Sequence, residues 1–166
     1  TNLLFDSCLF TFPVEWQGLG FNRKNNFELK SAKNVKVTNS ILENCWREGQ
    51  TGYGIMLTPV NYNAPLAVVE NILFEGNHIR NVGGGVSLLG FGQNSVTLRG
   101  NNYHFRNNKW EIKAAQGTGW LCQIGWEPEV VEFLNNDITT DGTSFVNVTD
   151  RKPINCLLYT SPSPRD

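Results

Sequence analysis

Two charged side chains stand two residues apart in NFELK, Asn26 to Lys30, where Glu28 and Lys30 alternate with the apolar Phe27 and Leu29. Successive side chains of an extended chain point to opposite faces, so Glu28 and Lys30 share one face and turn away from Phe27 and Leu29. A carboxylate beside an amine is equipment for proton transfer. Hydrolysis of a glycoside needs a second carboxylate at a defined separation, and here it must come from a loop: Glu15, Glu48, Glu111 or Glu127. Glu48 is taken forward as the third catalytic candidate. It follows Arg47 and precedes Gln50 in CWREGQTG, a polar, small-residue loop of the kind on which function is usually carried. The plainer reading of Glu28 and Lys30, an ion pair on a solvated sheet, outweighs catalysis. Solvation alone would also explain Arg47 and Glu48.

Aromatic residues add a binding chemistry. Trp16, Trp46, Tyr53, Trp110, Trp120 and Trp126 are expected in or beside the longer loops rather than at inward strand positions. Sugar rings have apolar faces that stack on indoles, so tryptophans bordering a cleft make a saccharide platform. Capping of loops against the core accounts for them equally well. The candidate binding set is Trp16, Trp46, Arg47, Gln50, Tyr53, Gln123 and Trp126.

The elements that must position these residues follow from a repeat. The pattern apolar, any, apolar, any, small or Asn, polar, any, apolar recurs as LLFDSCLF from Leu3, VKVTNSIL from Val35, ILFEGNHI from Ile72, VTLRGNNY from Val96 and VEFLNNDI from Val131. These starts are roughly 24 to 37 residues apart, the spacing of a solenoid with loops of unequal length. Between the copies lie short alternating segments: NFELK, YGIML (Tyr53 to Leu57), GVSLL (Gly85 to Leu89), LCQI (Leu121 to Ile124) and FVNV (Phe145 to Val148). Each coil is therefore expected to hold three short strands, two joined through the Gly/Asn position and one beyond a longer loop.

The Gly/Asn position has a physical cause. A coil changes direction sharply where one residue takes the left-handed conformation, which Gly and Asn tolerate best. Asn39, Gly76, Gly100 and Asn135 are the expected corners, followed by Ser40, Asn77, Asn101 and Asn136, with Cys8 in the equivalent place of the first copy. Stacked from coil to coil, those following side chains can hydrogen-bond along the axis as a ladder.

Composition limits the alternatives. The chain has 166 residues, 40% of them hydrophobic and 17% charged, and a formal net charge of −1, with Lys and Arg dispersed. That describes one packed domain without the basic footprint of a nucleic-acid binder. No apolar run approaches the roughly 18 residues of a membrane span. Cys8, Cys45 and Cys122 are irregularly spaced, and His78 and His104 stand far apart, so no disulfide framework, metal or other cofactor is expected and the thiols read as buried and inert. The glycine-rich VGGGVSLLGFG lacks a phosphate-binding lysine and reads as turns. Thr1 opens the chain without a signal segment, and the expectation is a fragment of something longer. CLLYTSPSPRD, Cys156 to Asp166, resembles an in-frame translation of the end sequence and adaptor of transposase-based sequencing libraries. Residues 1–155 are accordingly expected to be a partial domain from a metagenomic fragment, and 156–166 a non-native tail.

Taken together, NNFELKSAKNVKVTNSILENCW, GYGIMLTPVN and APLAVVENILFEGNHIRNVGGGV resemble bacterial right-handed parallel β-helix repeat proteins of the pectate-lyase-like superfamily. The resemblance covers nearly all of Thr1 to Pro153 and implies an all-β solenoid of about five coils, incomplete at both ends. It further implies that substrate lies on the sheet formed by the lone strand of each coil. Outward positions there are Glu28, Lys30, Met56, Ser87, Leu89 and Gln123. Hydrolases of the superfamily use clustered aspartates. Its lyases use acidic calcium ligands and a base, for which Lys30 or Arg47 would serve here, but the acidic cluster is absent from that face. The resulting expectation is an extracellular or periplasmic protein that binds or processes polysaccharide or oligosaccharide. If it is an enzyme, it is a polysaccharide lyase or glycoside hydrolase; the alternative is a non-enzymatic adhesin or tailspike-like solenoid.

Overall fold

A computed structural model describes residues 2–60, 64–92, 97–150 and 153–159. Along the chain run β1 (Leu3–Asp6), β2 (Leu9–Thr11), β3 (Phe27–Leu29), β4 (Ala32–Thr38), β5 (Ile41–Cys45), β6 (Tyr53–Leu57), β7 (Val69–Glu75) and β8 (His78–Val82). They are followed by β9 (Gly84–Leu89), β10 (Asn101–Arg106), β11 (Lys109–Ile112), β12 (Cys122–Gly125), β13 (Glu129–Leu134), β14 (Asp137–Thr140), β15 (Val146–Thr149) and β16 (Ile154–Tyr159). Helical structure among the described residues is confined to single 3-10 turns at Val14–Trp16 and Ala114–Gln116.

All ladders are parallel and link every third strand. The first sheet runs β1-β4-β7-β10-β13-β16, the second β2-β5-β8-β11-β14 and the third β3-β6-β9-β12-β15. The chain thus winds as a parallel β-helix, visiting the three sheets in turn, as the alternation of segments predicts. The third-sheet strands coincide with the expected segments to within a residue or two, and YGIML matches β6 residue for residue.

One copy of the repeat is corrected. Tyr103 is in register with Ile72 and Val131, and Phe105 with Phe74 and Phe133. The fourth copy is therefore YHFRNNKW, Tyr103 to Trp110, and not VTLRGNNY, whose first residue, Val96, lies outside the described residues. Both stretches satisfy the same eight-residue pattern, and packing decides between them. In the observed register Phe74, Phe105 and Phe133 stack with centroid spacings of 5.5 and 4.6 Å, which continues a column that reaches Phe5 through Phe27. Trp110 becomes an inward residue of β11, fully buried, rather than a loop aromatic. Glu111 likewise lies on β11 and not on a loop.

The corners shift accordingly. Ser7, Asn39, Gly76, Asn107 and Asn135 hold φ between 48° and 65°, so Asn107 takes the place expected for Gly100. The residue after each corner points inward and forms the expected ladder, with Asn108 as its rung instead of Asn101. The backbone N–H of Cys8 donates to Ser40 Oγ (3.0 Å), that of Ser40 to Asn77 Oδ1 (2.9 Å), that of Asn77 to Asn108 Oδ1 (2.9 Å) and that of Asn108 to Asn136 Oδ1 (3.1 Å). The amide nitrogens of Asn77, Asn108 and Asn136 donate to the carbonyls of Val37, Phe74 and Phe105. Each buried Asn thus satisfies backbone groups that the corner would leave without a partner.

A second ladder runs outside. Asn34, Asn71 and Asn102 sit at a left-handed position within the first sheet, and each side-chain amide bonds the preceding one at 2.8 to 3.0 Å, beginning at Asn2. The next coil places Val130 at that position with φ 53°, and the following one Asn155 with φ 57°. A β-branched residue is poorly suited to the left-handed region.

Two predictions concern these ladders. Asn108→Ala strands the buried N–H of Asn77 and the carbonyl of Phe74, and should cost about 3 kcal/mol in urea unfolding. Asn101→Ala, at the rung position of the discarded register, should stay within about 1 kcal/mol of wild type; equal losses in the two variants would refute the register. Val130→Asn relieves left-handed strain and fills the gap in the outer ladder, so its urea midpoint should rise, by about 1 kcal/mol in stability.

Candidate functional site

The outward row of the third sheet is set by register: Glu28 beside Met56, Met56 beside Ser87, Ser87 beside Gln123, and Gln123 beside Asn147. Their neighbours Phe27, Ile55, Val86 and Cys122 are buried in the core. Glu28, Met56, Ser87 and Gln123 of the outward set inferred from alternation occupy this row, while Lys30 lies just past the end of β3. Across the middle of this face lies a depression of about 470 Å³.

Its lining joins the apolar Met56 and Leu89 to the polar Ser87 and Gln123, together with Thr51, Thr58, Thr149 and Asp150. Tyr53 enters from the first residue of β6. Its phenol donates to Gln123 Oε1 at 3.0 Å, and burial pushes its pKa up to about 12. It therefore remains a neutral donor throughout the physiological range. The bond spends the amide oxygen of Gln123 on the protein and leaves the amide N–H2 as the donating end.

Tyr53 and Gln123 are the two expected site residues that line the depression. Glu28 and Lys30 lie on the same face and form an ion pair at 3.6 Å, with both side chains partly exposed. Arg47 and Gln50 are exposed, and the Arg47 backbone N–H donates to the Gln116 carbonyl at 2.6 Å. Trp126 is partly buried at φ 57°, and its buried indole N–H has no hydrogen-bond partner. Sequence reasoning did not mark Thr51, Thr58, Thr149 or Asp150 as site residues. Thr149 ends β15, and Thr51, Thr58 and Asp150 lie just outside strands, none with a spacing signal, so that only the stacking of coils brings them together.

Glu48 and Trp46 belong to a different construction. The Arg23 side chain is buried, its guanidinium 3.4 Å from the centroid of the Trp46 ring, and both terminal nitrogens donate to the Trp46 carbonyl at 2.9 Å. Glu48 accepts from Trp46 Nε1 at 2.7 Å, from the backbone N–H of Gly20 at 2.7 Å and Gly18 at 3.3 Å, and from Arg23 at 3.4 Å. The carboxylate thereby pins the loop between β2 and β3, in which Trp16 and Phe21 pack at 5.1 Å while both stay exposed. Arg23 carried no spacing signal. Its role depends on Trp46, one coil further along the chain.

Two further clusters of charge lie on the other two sheets. Glu132 accepts from Arg106 Nε at 2.6 Å and lies 3.2 Å from His104 Nδ1. Glu111 lies 2.8 Å from His78 Nε2 and 3.0 Å from Lys109 Nζ. These hydrogen bonds hold both carboxyls below the usual glutamate range. Among the described residues, no group of three or more His, Cys, Asp and Glu side chains gathers as metal ligands. The described cysteines are free, and burial raises the Cys45 thiol to about 11, in keeping with an inert side chain. No helix among the described residues is long and apolar enough to cross a membrane. In comparison with known proteins, no family model, no curated protein and no solved structure matches the chain.

The loop clasp predicts an acid response. The hydrogen bond from Trp46, followed by that from Gly20, lowers the Glu48 pKa from the ordinary 4.5. A carboxyl with a depressed folded value stabilises fully above its unfolded value. That contribution declines as the pH falls below 4.5 and is lost once the pH passes the folded value. Tryptophan emission should therefore change on acidification below pH 4.5, and Glu48→Gln should abolish that transition while leaving the rest of the titration in place.

Proposed function

We propose that this chain is a secreted parallel β-helix, extracellular or periplasmic, that binds polysaccharide or oligosaccharide along the outward face of its third sheet. The observation that carries this reading is the depression lined by Met56, Ser87, Leu89 and Gln123 from neighbouring coils, with three threonines among its other lining residues. Apolar lining suits the face of a sugar ring, and the hydroxyls and amide suit its edge. Neighbouring coils repeat at the strand spacing, so an extended chain laid along the axis meets successive outward rows. The resemblance of the repeat to the pectate-lyase-like superfamily supports the same face and a right-handed coil.

Binding is the activity favoured over hydrolysis. Paired carboxylates are needed for hydrolysis, and Asp150 is the one carboxylate among the described residues that line the depression, while Glu28 is engaged with Lys30. A second reading, a non-enzymatic adhesin or tailspike-like rod, draws support from the axial Asn ladders and the stacked phenylalanines, which stiffen the coil independently of any ligand.

Affinity gel electrophoresis separates the two. With polysaccharides cast into the gel, the folded chain should be retarded by at least one of them, and Gln123→Ala should weaken that retardation about tenfold through loss of its hydrogen bonds. A folded chain that no polysaccharide retards would leave the rod reading in its place.

A further inference from the structure

The charge of the depression carries the reading one step further. Among its described lining residues there is no Lys or Arg, and the one ionised side chain is Asp150. Lys30, on the same face, is paired with Glu28. The other polar groups are neutral: Gln123, Ser87, the three threonines, and a Tyr53 phenol that burial keeps protonated. A polyuronate carries one negative charge on every sugar. In this depression it would meet a carboxylate and no described cation, and would exchange the hydration of its own carboxylates for neutral donors alone.

Resting on the saccharide reading of this face, we infer that its ligand is a neutral glycan. Asp150 and the amide of Gln123 make the selective contacts. A carboxylate is a strong acceptor for sugar hydroxyls, and the Gln123 N–H2 is the donor left over after Tyr53 engages the amide oxygen. Met56 and Leu89 supply the apolar surface for the ring face. Selection against acidic polymers comes from Asp150 by repulsion, and affinity for neutral ones comes from the same oxygen atoms by hydrogen bonding. One side chain therefore sets both preferences.

That dual role gives a test with opposite signs. Asp150 holds φ 62°, a conformation Asn accepts readily, so Asp150→Asn should fold normally, as its melting temperature would confirm. The full chain would be run against two neutral polymers, galactomannan and xyloglucan, and two polyuronates, polygalacturonate and alginate, at low and high salt. Wild type should be retarded by a neutral polymer in a salt-independent manner, and Asp150→Asn should lose about tenfold of that affinity. Replacing Arg151 and Lys152, which lie outside the described residues, by Ser should leave neutral binding unchanged. Stronger, salt-sensitive retardation by a polyuronate, with a further gain in Asp150→Asn, would overturn the neutral assignment and leave the saccharide face standing. A folded wild type that none of the four polymers retards would overturn both.

Discussion

At the corner between its first two strands each coil turns through one left-handed residue, and from Ser40 to Asn136 the residue after it has its side chain buried inside the helix. A buried polar side chain there is tolerable only if its donors and acceptors are met. Asn77, Asn108 and Asn136 meet the requirement in two directions: each oxygen receives the backbone N–H of the coil before, and each nitrogen returns to a carbonyl of that coil. A slip of one residue in any coil would break these bonds and turn its core residues outward. The ladder therefore fixes register for all three sheets at once. The aromatic column of Phe74, Phe105 and Phe133 is a consequence of that register as well as a contributor to it.

Register is also what builds the candidate site. Met56, Ser87 and Gln123 are 67 residues apart end to end in sequence, yet they are neighbours because Ile55, Val86 and Cys122 are held in one inward row. The outward face inherits its order from the inward one. Tyr53 ties the two together, since its ring is buried while its hydroxyl reaches Gln123 two coils along. The outward amide of Gln123 is thus oriented by a core residue, a more rigid support than a loop provides.

The fold was legible because a corner residue with φ above zero and a buried polar neighbour leave a recognisable pair of residue types, and because alternation fixes the faces of short strands. The misplaced fourth copy shows the limit of a pattern without packing. VTLRGNNY and YHFRNNKW overlap at Tyr103, and only the stacking of Phe105 between Phe74 and Phe133 separates them. Trp110 was misjudged for the same reason: in the wrong frame it falls after the repeat, and in the right frame it is the repeat's last apolar position, inward on β11 two residues past the rung Asn108, its Nε1 donating to Asn136 Oδ1 at 3.1 Å. Less of the site was legible. Outward strand positions could be named from alternation, but Asp150 and the threonines lie where strands end, and their convergence depends on how far each loop carries the chain between sheets.

Those loops differ greatly in length without disturbing the ladder. Equivalent residues Leu3, Val35, Ile72, Tyr103, Val131 and Cys156 are separated by 25 to 37 residues, and the closure entropy of a flexible loop grows only with the logarithm of its length. The long loop between β2 and β3 reduces even that cost by local means. Its glycine N–H groups are collected by Glu48, and Glu48 is held by Trp46 and Arg23. Arg23 is a buried cation, a poor source of net stability by itself, but it lies against an indole face and bonds the same residue's carbonyl, so its contacts specify one loop conformation. The axial ladder keeps the coils in step, while contacts between successive loops fix what each coil presents at its margin. Residues at the margin can therefore change with little consequence for the register beneath them.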